Sequence, residues 1–169
     1  AYMYNGIQKF MDFQEKASIN YLRPGEGKNW GDWLSVNEKT SNDFIASAYY
    51  GYAAKLMSEM ANALGKTKDY KKYAKDFKNI QVQFATKYIT SDGKTTEDSM
   101  TSYALALYFN LYPEDLAQKG ANRLAEKIKN NGYKFATGFL GTKHVMLALS
   151  KYGFHDVSYK LFQQKAYPS

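Results

Sequence analysis

Phe44-Ile45-Ala46-Ser47-Ala48-Tyr49-Tyr50-Gly51-Tyr52-Ala53-Ala54 is apolar or small at nearly every position. Ser41 or Asn42 can cap a helix ahead of it, Asp43 suits that helix's positive end, and Gly65 stops it. The spacing predicts a helix from about Asp43 to Leu64 that is buried on most sides, because a helix without a polar face has no side to give to water. The following segment, about Lys68 to Ile89, reads differently. Tyr70, Tyr73, Ala74, Phe77, Ile80, Phe84 and Tyr88 form one stripe, and lysines fill the remainder. Such a helix lies on an outside layer.

The same contrast recurs along the chain. Asp98 or Ser99 caps Met100 to Leu111, again apolar almost all round, and Pro113 opens a helix to about Asn130. That helix buries only Ala117, Ala121, Leu124, Ala125 and Ile128, and Gly132 ends it. The glycine-punctuated stretch Thr137 to Thr142 reads as a loop. Lys143 to Tyr152 reads as a short apolar helix stopped by Gly153, and His155 to Gln163 as a last one. Upstream, a first helix covers about Tyr4 to Ile19, with Ile7, Phe10, Met11 and Ala17 facing inward. A loop rich in Gly and Asn then runs from Asn20 to Lys39. The fold class is therefore all-α, with buried and amphipathic helices alternating. A double ring of helical hairpins produces this alternation, and so does a solenoid of helix pairs. No repeat of fixed period supports the solenoid, so the ring is the expected architecture.

The chain has 169 residues, 44% hydrophobic and 23% charged, which suits one domain. It holds no cysteine, which excludes disulfides and thiolate chemistry. The only histidines, His144 and His155, lack the spacing of a metal pair, and no phosphate loop or nucleophile elbow occurs; no metal or cofactor is expected. No stretch is long and apolar enough to span a bilayer. The net charge of +7 is spread over the outer faces of amphipathic helices, by Lys66, Lys68, Lys71, Lys72, Lys75 and Lys78 and by Lys119, Lys127 and Lys129. Arginine, the usual reader of phosphate and base, occurs only as Arg23 and Arg123. The charge therefore reads as solvated surface, and neither nucleic acid nor membrane is an expected partner.

Aromatic residues make up 17% of the chain. Both tryptophans lie in Asn29-Trp30-Gly31-Asp32-Trp33-Leu34, where they bracket one carboxylate. Sugars offer C–H faces that pack on indole and hydroxyls that need acceptors, so Trp33 and Asp32 are the candidate substrate-binding residues. One tryptophan as a core anchor, with Asp32 capping a turn, is the competing reading. Glu97 and Asp98 stand at a helix start, where capping explains them. Glycoside hydrolysis needs two carboxyls facing across a sugar; no such pair can be selected, and no catalytic residue is assigned.

Several runs together resemble the catalytic domain of bacterial α-L-rhamnosidases. They are Gly31 to Leu34, Ile45 to Tyr52, the helix end Ala61 to Gly65, Thr101 to Leu111, Thr137 to Thr142 and the terminal Tyr167-Pro168-Ser169. The resemblance implies an (α/α)6 barrel of six helical hairpins that removes terminal α-L-rhamnose with inversion. It places Asp32 and Trp33 in the loop facing the sugar pocket. An acidic Asp-Glu-Arg run is expected upstream of Ala1 and a Trp-Glu-Arg-Trp run beyond Ser169. A glutamine expected just before Thr101 is Met100 here. On this reading residues 1–169 are a single domain, the central to C-terminal portion of the barrel. It is truncated at both ends, inactive alone and prone to self-association. A periplasmic or secreted parent fits such an enzyme; the sequence assigns no compartment. The alternative function is a helical scaffold that binds another protein through its tyrosine-rich surface.

Overall fold

The computed structural model of the chain describes residues 2–27 and 29–166. The terminal run Tyr167 to Ser169 lies outside the described residues. Among those described there are seven helices and no extended strand: α1 (Tyr2–Lys16), α2 (Asn42–Ala63), α3 (Thr67–Tyr88), α4 (Met100–Tyr108), α5 (Glu114–Asn130), α6 (Phe139–Lys151) and α7 (His155–Phe162). The all-α alternation read from the sequence is the one observed. α4 packs against both α2 and α6, which makes an inner layer of three. α1 and α3 lie against α2, α5 against α4 and α6, and α7 against α6 and α5. The chain thus steps outer, inner, outer throughout.

Burial follows composition. Every residue of α4 from Met100 to Leu107 is buried, whereas α3 buries only Tyr73, Ile80, Phe84 and Tyr88. One core runs along α4 between its neighbours and includes Phe44, Leu105, Leu107, Leu124 and Leu149; a second lies among α1, α2 and α3, around Met11, Met57 and Ile80. Full burial of each large apolar side chain stabilises by about 1.5–3 kcal/mol.

Three expectations are corrected. The inward position expected of Phe10 is not observed: it is half exposed on α1, and Tyr4 and Met11 are the buried positions there. α4 ends at Tyr108 rather than Leu111. The amides of Asn110 and Leu111 turn back to Leu107 O and Ala106 O at 3.3 and 2.8 Å, with Asn110 at φ +62°. This is a Schellman closure with asparagine in the left-handed position, and it keeps Leu111 in the core although it lies outside the helix. Finally, α6 begins at Phe139, inside the segment read as a loop, for a reason that belongs to the site.

Candidate functional site

The connections that lead into α2, α4 and α6 come together at one end of the inner layer, and hydrogen bonds tie them to each other. Thr40 and Ser99 join through their hydroxyls at 2.6 Å, and the Ser41 amide and hydroxyl donate to Glu97 at 3.0 and 2.8 Å. Ser41 is the N-cap of α2. The Met100 amide, at the start of α4, donates to Glu38 at 2.6 Å. The other Glu38 oxygen pairs with Lys127 Nζ at 3.1 Å. At α6 the acceptor is Asp32: Oδ2 takes the Gly138 amide at 2.8 Å, and Oδ1 takes those of Leu140 and Gly141 at 2.9 and 3.0 Å. Each inner helix therefore begins against a carboxylate borrowed from a connection leading to a different helix. A negative charge is favourable there, since helix N-termini carry unpaired amides and partial positive charge. This is why α6 starts earlier than its own sequence suggests. Gly138 offers no side-chain cap, and the carboxylate that replaces one lies over a hundred residues upstream.

Asp32 also accepts from the Thr101 hydroxyl of α4. With four donors on two oxygens and 7% exposure, its carboxylate faces the protein interior rather than a sugar. Trp33 is its opposite, 49% exposed. Trp33 stacks on Phe139 with ring centres 5.5 Å apart and meets Trp30 at 5.7 Å. Trp30 and Phe139 are themselves more than two-thirds exposed, so three aromatic rings form one open surface at this end. The backbone beneath them is unusual. Gly31 and Leu34, flanking the Asp32-Trp33 pair, have φ of +56° and +65°. A left-handed leucine costs about 1–2 kcal/mol and persists only where its surroundings impose it. The sequence signal at Phe139 is an aromatic residue between two glycines, Gly138 and Gly141. Glu97, expected from its position to cap the helix that follows it, serves the start of α2 instead, and Glu38 left no local signal because its partner is distant.

Aromatic rings also line the contacts among α2, α4 and α6. Tyr52 stacks on Phe109 with ring centres 4.2 Å apart, and His144 packs against both Tyr108 and Phe109 at 5.1 and 4.9 Å. The Tyr49 hydroxyl is 3.5 Å from His144 Nε2, and the buried Nδ1 has no hydrogen-bond partner among the described residues. Burial, then the nearby Lys143, holds the imidazole below its ordinary pKa, which favours the neutral ring. Burial, then the Asp32 charge, raises the Tyr49 phenol. Among the described residues no three His, Asp or Glu side chains gather as a metal site would require, and no helix is long and apolar enough to cross a membrane.

Over residues 1–169 the chain matches the family described as bacterial alpha-L-rhamnosidase 6 hairpin glycosidase domain. An alpha-L-rhamnosidase of Streptomyces avermitilis is 39% identical over 163 residues, which are 96% of this chain and 15% of that protein. One from Formosa agariphila is 33% identical over 175 residues, 98% of this chain and 19% of that protein. Among solved structures, the Streptomyces avermitilis alpha-L-rhamnosidase complexed with L-rhamnose superposes with a TM-score of 0.93 at 38% identity, over 98% of this chain and 16% of that one. The native enzyme from Aspergillus terreus gives 0.90 at 29% identity, over 98% of this chain and 20% of that one. The chain thus spans no more than a fifth of the length of these relatives.

Proposed function

Because the chain belongs to the bacterial α-L-rhamnosidase six-hairpin glycosidase domain family, we propose that it forms a sector of the catalytic barrel of a glycoside hydrolase that releases terminal α-L-rhamnose with inversion. The observation that carries this reading is the open Trp30–Trp33–Phe139 surface at the end where the three inner helices begin. Trp33 is the sugar platform. Rhamnose is a 6-deoxy sugar, so its C6 methyl and ring C–H groups suit an aromatic surface, while its hydroxyls remain free for polar partners.

Inverting hydrolysis needs an acid and a base roughly 6.5–9.5 Å apart across the sugar. At this end Asp32, Glu38 and Glu97 are each engaged in holding a helix start. We therefore assign the acid and base to chain beyond this sector, whose own part is to frame the pocket and hold the ring. On that assignment the 169 residues alone do not turn over aryl α-L-rhamnosides. The protein-scaffold alternative has no separate observation in its favour.

The chain's only two tryptophans both lie in the proposed site, so intrinsic emission reports on it without a label. Titration with L-rhamnose should change that emission saturably. In Trp33→Ala, with helical content unchanged, affinity should fall by about 1–3 kcal/mol, the range of an aromatic anchor. Emission indifferent to L-rhamnose, or equal affinity in the Trp33 variant, would remove the platform from the account.

A further inference from the structure

Asp32 stands next to Trp33 in sequence, yet its carboxylate points the other way, into the contact between α4 and α6. Its two oxygens bracket Phe139. Oδ2 holds the amide of Gly138, just before that ring, and Oδ1 holds the amide of Leu140, just after it. Two backbone bonds complete the join: the Phe139 amide donates to Trp33 O at 2.9 Å and the Val36 amide to Ala136 O at 3.0 Å. There is no slack in it. A Cβ on Gly138 would overlap the carbonyls of Asp32 and Trp33, and one on Gly141 would overlap the Thr101 hydroxyl.

We propose that Asp32 is a positioning residue, whose buried carboxylate fixes Trp33 and Phe139 relative to the start of α6 and so sets the pose of the sugar platform. This rests on Trp33 being that platform. A carboxylate serves because it can accept from several donors at once, here one hydroxyl and three amides. Asparagine has the same volume but only one accepting oxygen, and its amino group would face a donor. One or more of the bonds beside Phe139 must then be lost, and the exposed indole gains freedom. Thr101 provides an independent handle, since its hydroxyl reaches the same carboxylate from α4.

The test uses the Trp30→Phe chain, in which Trp33 is the sole indole. Asp32→Asn, Thr101→Val and Thr101→Ser are compared in that background by indole near-UV circular dichroism, fluorescence anisotropy and L-rhamnose titration, with far-UV dichroism reporting helix content. Asp32→Asn should keep its helices, lose near-UV signal and anisotropy, and bind L-rhamnose about tenfold more weakly. Thr101→Val should move the same readouts less far, and Thr101→Ser should restore them. A folded Asp32→Asn chain with indole signals and affinity unchanged overturns the proposal. Should that variant not fold, Thr101→Val decides, and unchanged indole signals there overturn it equally. If the indole signals move as expected but no chain binds L-rhamnose, the positioning role stands and the sugar platform falls.

Discussion

His144 is the residue whose surroundings make the clearest claim about solution behaviour. Its ring is enclosed by Tyr49, Tyr108 and Phe109, and among the described residues only Nε2 has a hydrogen-bond partner. A histidine whose pKa is lower folded than unfolded binds fewer protons in the native state. Its contribution is intact above the ordinary value of 6.5 and is lost as pH falls below it, because the unfolded chain takes up the proton first. The melting temperature should therefore drop from about pH 7.5 to about pH 5, and drop less in His144→Phe, which keeps the aromatic packing without the titrating group. An equal drop in both proteins would remove His144 as the cause. None of this enclosure was legible in the sequence, where His144 is a polar residue in a short apolar run. Trp33 and Asp32 were legible as a pair worth noticing. Their division of labour was not, because the donors that turn the carboxylate inward lie 69 to 109 residues away.

Helix ends divide in the same way. Gly65, Gly132 and Gly153 were readable as stops, and each has positive φ at the close of α2, α5 and α6. α4 closes with equivalent hydrogen bonds, but on Asn110, which a search for glycine passes over. The asparagine side chain adds a function there, accepting from Lys151 Nζ, which also donates to Leu107 O at 2.9 Å. A cation against the last carbonyls of a helix is favourable. Asn110→Ala should cost about 1–2 kcal/mol in denaturant unfolding, since alanine resists the left-handed backbone and drops the lysine contact. Asn110→Gly should cost less, because glycine adopts that backbone freely. If the two variants are equally unstable, the turn geometry is not what matters at this position. The start of α6 escaped reading for the opposite reason, its cap being supplied from outside the segment.

For the whole molecule, alternation of buried and one-sided helices was enough to predict two layers, because that contrast is a property of each segment taken alone. How the layers end is a property of the assembly. Large apolar side chains lie open at both flanks. Met3, Phe10 and Phe13 lie open on α1, and Tyr159 and Phe162 on α7. A groove of about 380 Å³ between α1 and α2 is lined by Phe10, Tyr49, Tyr52 and Leu56 among others. Open apolar patches of this kind favour association. In sedimentation at micromolar concentration the chain should form dimers or larger species and bind hydrophobic dyes. A monomer with no dye binding would mean that these faces are satisfied without a neighbour.

The exchange of carboxylates among helix starts also bears on how the molecule opens. A helix end capped by its own neighbours frays alone, and its amides exchange with solvent at little cost. Here α2 and α4 keep local caps, Ser41 on the Phe44 amide and the Ser99–Ser102 capping box, but Glu97 also binds the start of α2, Glu38 that of α4 and Asp32 that of α6, so loosening any of these ends breaks a bond to another connection. The amides of Ser41, Met100, Gly138 and Leu140 should then share a single opening free energy in native-state hydrogen exchange, rather than grading towards zero as termini ordinarily do. They would behave as one cooperative unit assembled from three distant stretches of chain. Such a unit closes late in folding, because loops must be brought together before any of its bonds can form.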